Sequence, residues 1–433
     1  MAPLHIVQVN TVDVAGGAAK VARKLHEKFR ERGHKSTMVV GLKQSSDPDV
    51  VEIDNRDAGR GFRGRALRIL EARGHQYLDL PGSHRVPDLI GGDWDVLHAH
   101  NLHGGYFDLA AFSDLSRRAP LILTMHDMWL VTGHCGYSCG CDRWEIGCGS
   151  CPDLTLYPAI PRDATGPNLR RKARVLGDTS LTVTSPARWA LDLAGASYLR
   201  SKAARHIPNP VDTHVFRPGD KRAARRTLGL PEDRPIILLP ARLAFDNEYK
   251  AAWMLEEAVD ALRDRRALGV AFGAESEEPR DGLRILAESF DEAWVAEAYR
   301  AADVVVYPSR AETSPLAIIE AFATARPVVA TKVGGVSELL DDGRNGLLVE
   351  PGDAAGFARA LRTLLDSPDL AQGLGEAGLN DVRERHDLDD VVDAWLALYE
   401  ELRSNFHRPD GPGREPTSGR GRDPNSPRRT TKA

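Results

Sequence analysis

Features typical of membrane-spanning, secreted and nucleic-acid-binding proteins are missing from this sequence. No uninterrupted apolar run approaches the roughly 20 residues that a membrane-spanning helix needs. The amino terminus, residues 1–10, has no basic region before its apolar stretch, which predicts a first strand rather than a signal peptide. The formal net charge of −5 is small for 433 residues and gives no indication of a nucleic-acid partner. A cytoplasmic protein is the resulting expectation.

The length exceeds what one ordinary domain needs. With 433 residues, of which 42% are hydrophobic, the chain suits two domains of roughly 200 residues each plus an extension. Strand-like and helix-like segments alternate in both halves, which predicts an α/β protein with parallel sheets covered by helices on both faces. A linker is predicted where three prolines interrupt this alternation, and a disordered tail where apolar residues are almost absent. The predicted units are an amino-terminal domain (1–206), the linker (207–220), a carboxyl-terminal domain (221–390), a terminal helix (391–406) and the tail (407–433).

Two glutamates eight residues apart, Glu312 and Glu320, are the strongest functional signal. They lie in the run YPSRAETSPLAIIEAFATARPVVATKVGGVSEL, residues 307–339, which follows a predicted buried strand. Ser314 and Pro315 predict a helix start, with serine as the cap and proline at the first helical position. The alternative interpretation is that the two glutamates have this spacing by chance on a solvent-exposed helix. In the strand–loop–helix context, however, a helix N-terminus suits a phosphate and two carboxylates suit hydroxyls, a combination that indicates a nucleotide sugar.

This run resembles the E-x7-E region of the retaining glycosyltransferases of family 4. The shared pattern, as it stands here, is PS…E…PL…EA…PVVAT…GG…EL…G.NGLLV. The resemblance implies the GT-B fold, in which two Rossmann-like parallel-sheet domains face a central cleft. It further implies that Glu312 faces the hydroxyls of the donor sugar and Glu320 the nucleotide ribose. Backbone N–H groups near Ser314 and Leu316 would meet the diphosphate.

Loops that follow predicted strands supply further candidates, because ligands of open α/β sheets bind beyond the carboxyl ends of the strands. Gly16 and Gly17 follow the first strand and either admit a ligand close to the backbone or form a plain tight turn. His126 ends a later strand and either contacts a sugar or is structural. The resemblance favours the ligand roles, with the glycine loop at the donor phosphate or the acceptor and the histidine near the reacting carbon. The acceptor side is predicted to include His100, Asn101 and His103.

Two cations, Arg242 and Lys250, are predicted to neutralise the diphosphate and stabilise the leaving group. Surface ion pairing is the alternative interpretation. The family pattern has glycine after this lysine and glycine in the turn before PVV, whereas this chain has Ala251 and Ala325 there.

Together these features predict a retaining glycosyltransferase that moves a sugar from a nucleotide-diphosphate sugar, with a UDP-sugar favoured, to a hydroxyl acceptor. No Asp-x-Asp motif stands in a suitable loop, so no cofactor is expected for catalysis. Glycan, lipid-linked and small-molecule acceptors stay open, and a lipid-linked acceptor would involve peripheral membrane contact. The alternatives are a sugar-nucleotide epimerase or phosphorylase of the same fold and a non-catalytic sugar-nucleotide-binding protein. The predicted catalytic group is His126, Glu312, Arg242 and Lys250, and the predicted donor-binding group is Gly16, Gly17, Arg242, Lys250, Glu312, Ser314, Leu316 and Glu320.

All five cysteines fall within seventeen residues, 135–151. The pair at 148 and 151 has the spacing of a metal chelate, so a structural zinc site, disulfides and a redox or iron–sulfur role all stay open. The segment also resembles a subset of family 4 enzymes through HDMW…TGHC…C…W..GC..CP. It follows His126 and is therefore expected to shape the acceptor pocket. The predicted zinc ligands are Cys135, Cys141, Cys148 and Cys151, with Cys139 free.

Overall fold

The computed structural model describes residues 2–55, 61–240, 248–272, 281–287 and 289–407. The predicted role of Arg242 and the predicted disordered tail, apart from His407, lie outside these residues.

The amino-terminal half forms a parallel sheet of seven strands within the described residues. The strand His5–Val12 is buried from Ile6 to Asn10, and the buried residues include the polar Gln8 and Asn10. The strand order is β3-β2-β1-β4-β5-β6-β7, with every neighbouring pair parallel. The strands are β1 His5–Val12, β2 Lys35–Leu42, β3 Val50–Glu52, β4 Val96–Ala99, β5 Leu121–Thr124, β6 Thr182–Ser185 and β7 Ala203–His206.

The carboxyl-terminal half repeats this architecture with six described strands in the order β10-β9-β8-β11-β12-β13. All neighbouring pairs are again parallel. Both orders reverse direction at the first strand of their half, which is the Rossmann arrangement. The predicted pair of Rossmann-like parallel-sheet domains is therefore confirmed. The strands are β8 Ile236–Leu239, β9 Leu268–Phe272, β10 Leu283–Leu286, β11 Val304–Tyr307, β12 Val328–Thr331 and β13 Leu347–Val349.

Helices cover both faces of each sheet. None of the described helices is both long and apolar enough to cross a membrane. The α-helices are α1 Gly17–Glu31, α2 Gly61–Glu71, α3 Val86–Ile90, α4 Phe112–Leu115, α5 Thr165–Asp178, α6 Arg188–Ala196, α7 Lys221–Thr227, α8 Trp253–Ala261, α9 Glu292–Ala301, α10 Leu316–Ala323, α11 Val336–Leu339, α12 Ala354–Asp366, α13 Pro368–Arg385 and α14 Leu388–Ser404.

The last helix, α14, packs against the amino-terminal domain. Its buried Trp395 and Tyr399 share a hydrophobic cluster with Ile6 of β1 and with Phe29 of α1. The helix begins three residues before the predicted start at 391, because the Asp387 side chain accepts a hydrogen bond from the Asp389 N–H and caps the helix. The final helix therefore completes the core of the first domain.

The chain crosses between the domains twice, and the two crossings lie side by side. In the first crossing, the Val211 N–H donates to the carbonyl of His386 over 2.8 Å. Thr213 Oγ1 donates to Asp387 Oδ2 over 2.6 Å. The predicted linker is thus bonded to the segment that leads into α14.

Two alanines occupy the left-handed backbone region that favours glycine. Ala251 has a φ of 46° and Ala325 a φ of 56°. Ala325 follows α10, where its N–H donates to Phe322 and the next N–H, of Arg326, donates to Ala321. This is a Schellman motif, in which the left-handed position is usually glycine. Both positions are those where the family pattern has glycine, so the backbone turn persists without it.

An Ala325→Gly variant is expected to be more stable than the wild type by about 1 kcal/mol, because it removes the Cβ strain of the left-handed conformation. Urea unfolding followed by circular dichroism measures the change. As a control, Ala360→Gly in the interior of α12 should destabilise by about 1 kcal/mol. Destabilisation by both substitutions would show that the turn carries no such strain.

Candidate active site in the interdomain cleft

A cleft of about 440 Å³ lies between the two domains. This volume is within the roughly 300–1,000 Å³ typical of small-molecule pockets. The cleft is bordered by loops that follow β1, β4, β5 and β11, at the carboxyl ends where Rossmann sheets bind ligands. The predicted site residues that line it are Gly16, Gly17, Asn101, His103, His126, Lys250, Glu312, Ser314, Leu316 and Glu320.

Glu312 forms a buried ion pair at the cleft wall. Its Oε1 accepts a hydrogen bond from Lys250 Nζ over 2.5 Å and another from the Tyr307 hydroxyl over 2.9 Å. Burial alone would lower the pKa of Lys250, but the neighbouring carboxylate outweighs it and raises that pKa. Lys250 is therefore a cation at neutral pH. Among the described residues, no hydrogen bond reaches the second oxygen, Glu312 Oε2, which leaves it available to a ligand hydroxyl.

Glu320 lies one turn inside α10. Its Oε2 accepts a hydrogen bond from the Tyr299 hydroxyl over 2.7 Å. Burial, and then the adjacent carboxylate, raise the pKa of Tyr299 well above its usual range, so the phenol stays protonated and keeps donating. The Glu320 side chain is thereby held at the cleft.

The start of α10 differs from the prediction. Pro315 is the N-cap, in an extended conformation, and Leu316 is the first helical residue. Ser314 does not cap the helix, because the chain is still extended at the proline that follows it. Its buried hydroxyl has no hydrogen-bond partner among the described residues, while its carbonyl accepts from Asn209 Nδ2 over 2.9 Å. A polar hydroxyl without a partner at a helix N-terminus in a cleft is available to bind a ligand.

The loop that carries Glu312 packs against two glycines that follow β12. A Cβ added at Gly334 would lie 2.1 Å from the Glu312 carbonyl oxygen, and one added at Gly335 would lie 1.9 Å from the Thr313 carbonyl oxygen. The Gly335 N–H also donates to the Glu312 carbonyl over 3.1 Å. The sequence showed these glycines only as a loop before a helix. Their role in supporting the Glu312 loop is a result of the structure.

Gly16 and Gly17 border open space on the opposite wall. Gly16 has a φ of 100°, a conformation that side chains rarely adopt, and it caps α1. A Cβ built on either glycine would meet no other atom within 4 Å. The glycines therefore keep this part of the cleft open and the N-terminus of α1 exposed to it.

His126 is held by a chain of hydrogen bonds that runs into the protein core. Its Nε2 lies 3.0 Å from His100 Nδ1, and His100 Nε2 lies 3.1 Å from Gln8 Oε1. Burial lowers the pKa of His126 to about 4, so the ring is neutral at neutral pH. Because His100 Nε2 donates its proton to the Gln8 oxygen, His100 Nδ1 carries no proton and accepts a hydrogen bond from His126 Nε2. His126 Nδ1 then carries no proton and can accept a hydrogen bond.

His100 is corrected from an acceptor-side residue to a residue that supports His126. It is 2% exposed and does not line the cleft. His98 lies on β4 and His100 directly follows that strand, with the two ring centroids 4.1 Å apart; His98 in turn packs against Trp395 of α14 with ring centroids 4.4 Å apart. The returning helix therefore covers His98, which the local sequence does not reveal.

His103 and Asn101 do line the cleft. His103 Nε2 lies 2.9 Å from Asp127 Oδ2. Burial would raise the pKa of Asp127, but the neighbouring histidine and hydrogen-bond donors outweigh it and lower that pKa. Asp127 is therefore an anion. Most of the other polar residues that line the cleft are tyrosines, which were not predicted from the sequence. They are Tyr137, Tyr157, Tyr249, Tyr299 and Tyr307.

Comparison with known proteins identifies the family. Residues 15–215 match the family model described as Glycosyltransferase Family 4, and residues 234–367 match the model described as Glycosyl transferases group 1. The D-inositol 3-phosphate glycosyltransferase 1 of Catenulispora acidiphila is 30% identical over 327 residues, which cover 71% of this chain and 72% of that one. The chain belongs to the family 4 glycosyltransferases. A further D-inositol 3-phosphate glycosyltransferase, from Thermomonospora curvata, is 30% identical over 390 residues, covering 81% of this family 4 chain and 89% of its own.

Solved structures agree with this assignment at the level of fold. Sucrose-phosphate synthase from Thermosynechococcus elongatus aligns with a TM-score of 0.68 and 19% identity, covering 93% of this glycosyltransferase and 99% of the synthase. Anabaena Alr3699/HepE, in a structure with UDP-glucose, aligns with a TM-score of 0.64 and 16% identity, covering 92% of this chain and 100% of that chain. The predicted GT-B fold and the predicted glycosyltransferase activity class are confirmed.

Proposed function

We propose that this glycosyltransferase takes its sugar from a nucleotide-diphosphate sugar, with a UDP-sugar favoured, and transfers it to an acceptor hydroxyl with retention of configuration. The observation that carries this proposal is the start of α10. There a helix N-terminus and the Ser314 hydroxyl, which has no hydrogen-bond partner in the part of the chain that the structure describes, lie between two buried carboxylates, Glu312 and Glu320. The UDP-glucose in the structure of Anabaena Alr3699/HepE, which shares the fold, supports the same ligand class.

The diphosphate fits best at the N-terminus of α10. The backbone N–H groups of Leu316 and Ala317 begin the helix and have no partner within its hydrogen-bond ladder. The positive end of the helix dipole and the Lys250 ammonium add electrostatic attraction for an anion. The buried cation would stabilise the charge that develops on the leaving nucleoside diphosphate. Arg242 is proposed to assist it.

The two carboxylates suit the hydroxyl groups at either end of the donor. Glu320, fixed by Tyr299, would accept hydrogen bonds from the ribose. Glu312 would use Oε2 for the transferred sugar, since Oε1 already accepts two hydrogen bonds. His126, neutral and with Nδ1 as an acceptor, would contact a sugar hydroxyl close to the reacting carbon.

Retention is proposed to proceed without a covalent enzyme intermediate. Each donor-side carboxylate has one oxygen engaged in a hydrogen bond with a neighbouring side chain. Glu312 Oε1 accepts from Lys250, and Glu320 Oε2 accepts from Tyr299. The leaving diphosphate would instead accept the proton of the incoming hydroxyl on the same face of the sugar. The glycosidic bond to the acceptor then forms as the bond to the diphosphate breaks.

Contacts between the domains would keep water from the donor. Lys24 Nζ donates to Glu292 Oε2 over 2.5 Å, which joins α1 to α9. Glu338 accepts hydrogen bonds from the N–H groups of Arg188 and Trp189 over 2.8 Å and 2.5 Å, at the start of α6. A closed cleft limits hydrolysis of the activated sugar. Acceptors of the glycan, lipid-linked and small-molecule classes all fit this scheme.

Calorimetric titration with UDP-glucose, GDP-glucose and dTDP-glucose tests the donor proposal. Glu320→Ala is expected to weaken binding of the preferred donor by at least about tenfold, which corresponds to 1.4 kcal/mol, because the ribose contact is lost. Glu376→Ala, on the exposed surface of α13, is the matched control and should bind like the wild type. If no sugar nucleotide binds the folded wild type, or if Glu320→Ala binds as tightly as the wild type, the donor site is wrong.

A further inference from the structure

Four of the five cysteines in the cysteine loop, residues 133–152, line one small cavity. Within the described residues, every cysteine is free of disulfide bonds. Cys139 stands apart, at the tip of the loop, in a groove that it shares with Trp253 of the other domain. A single small cavity of about 20 Å³ is lined by Cys135, Cys141, Cys148 and Cys151.

The backbone that presents two of these thiols is in an uncommon conformation. Four consecutive residues have left-handed φ values: 102° at Gly147, 59° at Cys148, 90° at Gly149 and 51° at Ser150. Two of the four carry a side chain, so the turn is strained and persists only where its surroundings hold it. Hydrogen bonds hold its end, since the Cys151 N–H donates to Asp163 Oδ2 over 2.8 Å.

A buried lysine lies beside the same cavity. Lys172 is 4% exposed, and its Nζ donates to the carbonyls of Trp129 and Thr132 over 2.6 Å and 3.1 Å. Among the described residues it has no hydrogen bond to a carboxylate. Thr132 also lines the cysteine cavity, so the Lys172 ammonium group lies next to it, and burial lowers the pKa of Lys172 to about 7. A buried ammonium is unfavourable unless negative charge lies nearby, and thiolates at these positions would add such charge.

We propose that Cys135, Cys141, Cys148 and Cys151 bind one zinc ion as thiolates, with Lys172 offsetting part of their charge. Four thiolates satisfy the tetrahedral preference of zinc in structural sites, and a cluster of four thiolates with one zinc carries a net charge of −2. In the described parts of the chain, no group of three or more metal-ligating side chains already stands in binding geometry. Binding would therefore draw the four sulfur atoms together onto the ion.

The ion would also order part of the cleft, an inference that rests on the proposed function. Tyr137 lies in the cysteine loop between Cys135 and Cys139 and lines the cleft. Its hydroxyl lies 3.4 Å from Thr313 Oγ1, next to Glu312. Zinc binding would fix this tyrosine on the acceptor side of the site.

Elemental analysis and thiol counting of the purified wild-type protein test the site directly, whatever its enzymatic activity. About one zinc per chain is expected, with five titratable thiols after denaturation in chelator. Cobalt(II) in place of zinc should give the absorption of a tetrahedral thiolate site. Absence of metal would overturn the proposal, and a single remaining thiol would establish two disulfides instead.

Variants then test the choice of ligands. Cys141→Ser and Cys151→Ser should each lose most of the zinc, whereas Cys139→Ser should retain it. Equal loss in all three would overturn the exclusion of Cys139 from the zinc ligands.

Lys172→Met should lose zinc to a competing chelator at least about tenfold more readily than the wild type. Lys202→Met is the matched control, because Lys202 also donates to two backbone carbonyls, those of Gly177 and Thr179 at the carboxyl end of α5. If the two lysine variants behave alike, Lys172 has no role in metal binding.

Discussion

A Gly335→Ala variant is expected to lose at least about 100-fold in kcat/KM while remaining folded. The added Cβ would lie 1.9 Å from the carbonyl oxygen of Thr313, and this backbone atom cannot rotate away as a side chain would. The loop that carries Glu312 must therefore shift, and a displacement of about 1 Å at a catalytic group can cost about 100-fold in rate. Steady-state kinetics with the donor identified by calorimetry measure the loss.

Gly373→Ala is the control for this substitution. It lies in α13 of the same domain, and a Cβ built there meets nothing within 4 Å. Neither glycine has a left-handed φ, so neither substitution introduces that kind of backbone strain, and the space around the new carbon is the difference under test. Wild-type kinetics in Gly335→Ala would show that the Glu312 loop tolerates displacement and does not hold a reacting group.

Lys250→Met is expected to lose at least about 100-fold in kcat/KM, because the cation that faces the leaving diphosphate is removed. It should also destabilise the protein by about 3–5 kcal/mol, since Glu312 would be left as an unpaired buried charge. Steady-state kinetics and urea unfolding measure the two effects separately.

The double variant Lys250→Met with Glu312→Gln separates stability from catalysis. Neutralising both partners should restore most of the lost stability, because no uncompensated charge remains in the cleft wall. It should not restore activity. Recovery of turnover in the double variant would mean that Lys250 serves only to balance Glu312.

The placement of Glu312 and Glu320 could be predicted because it depends on local pattern alone. The pattern is a buried strand, then a proline, then apolar residues at helical spacing. It predicts a loop and a helix that lie within fifteen residues of each other in the chain. The same local reasoning misplaced the helix cap. It assigned Ser314 to the cap, whereas the extended backbone at Pro315 delays the helix by one residue and frees the serine hydroxyl.

Contacts between distant segments could not be predicted in this way. The support of the Thr313 loop by Gly335 joins two strand–loop–helix units, and the approach of Tyr137 to Thr313 joins two domains. The packing around His98 and His100 depends on α14, which contacts His98 and is encoded some 300 residues later. The correction of His100 follows from that distant packing.

The return of α14 to the first domain also has a consequence for biosynthesis. The apolar surface of α1 and β1 stays uncovered until Ser404 has left the ribosome, after 198 residues beyond β7, which ends at 206. At about 5–20 residues per second, the nascent chain exposes that surface for roughly 10–40 s. Chaperones have this interval in which to bind it. The first domain to be translated is thus the last to be completed, and the two halves mature as one unit.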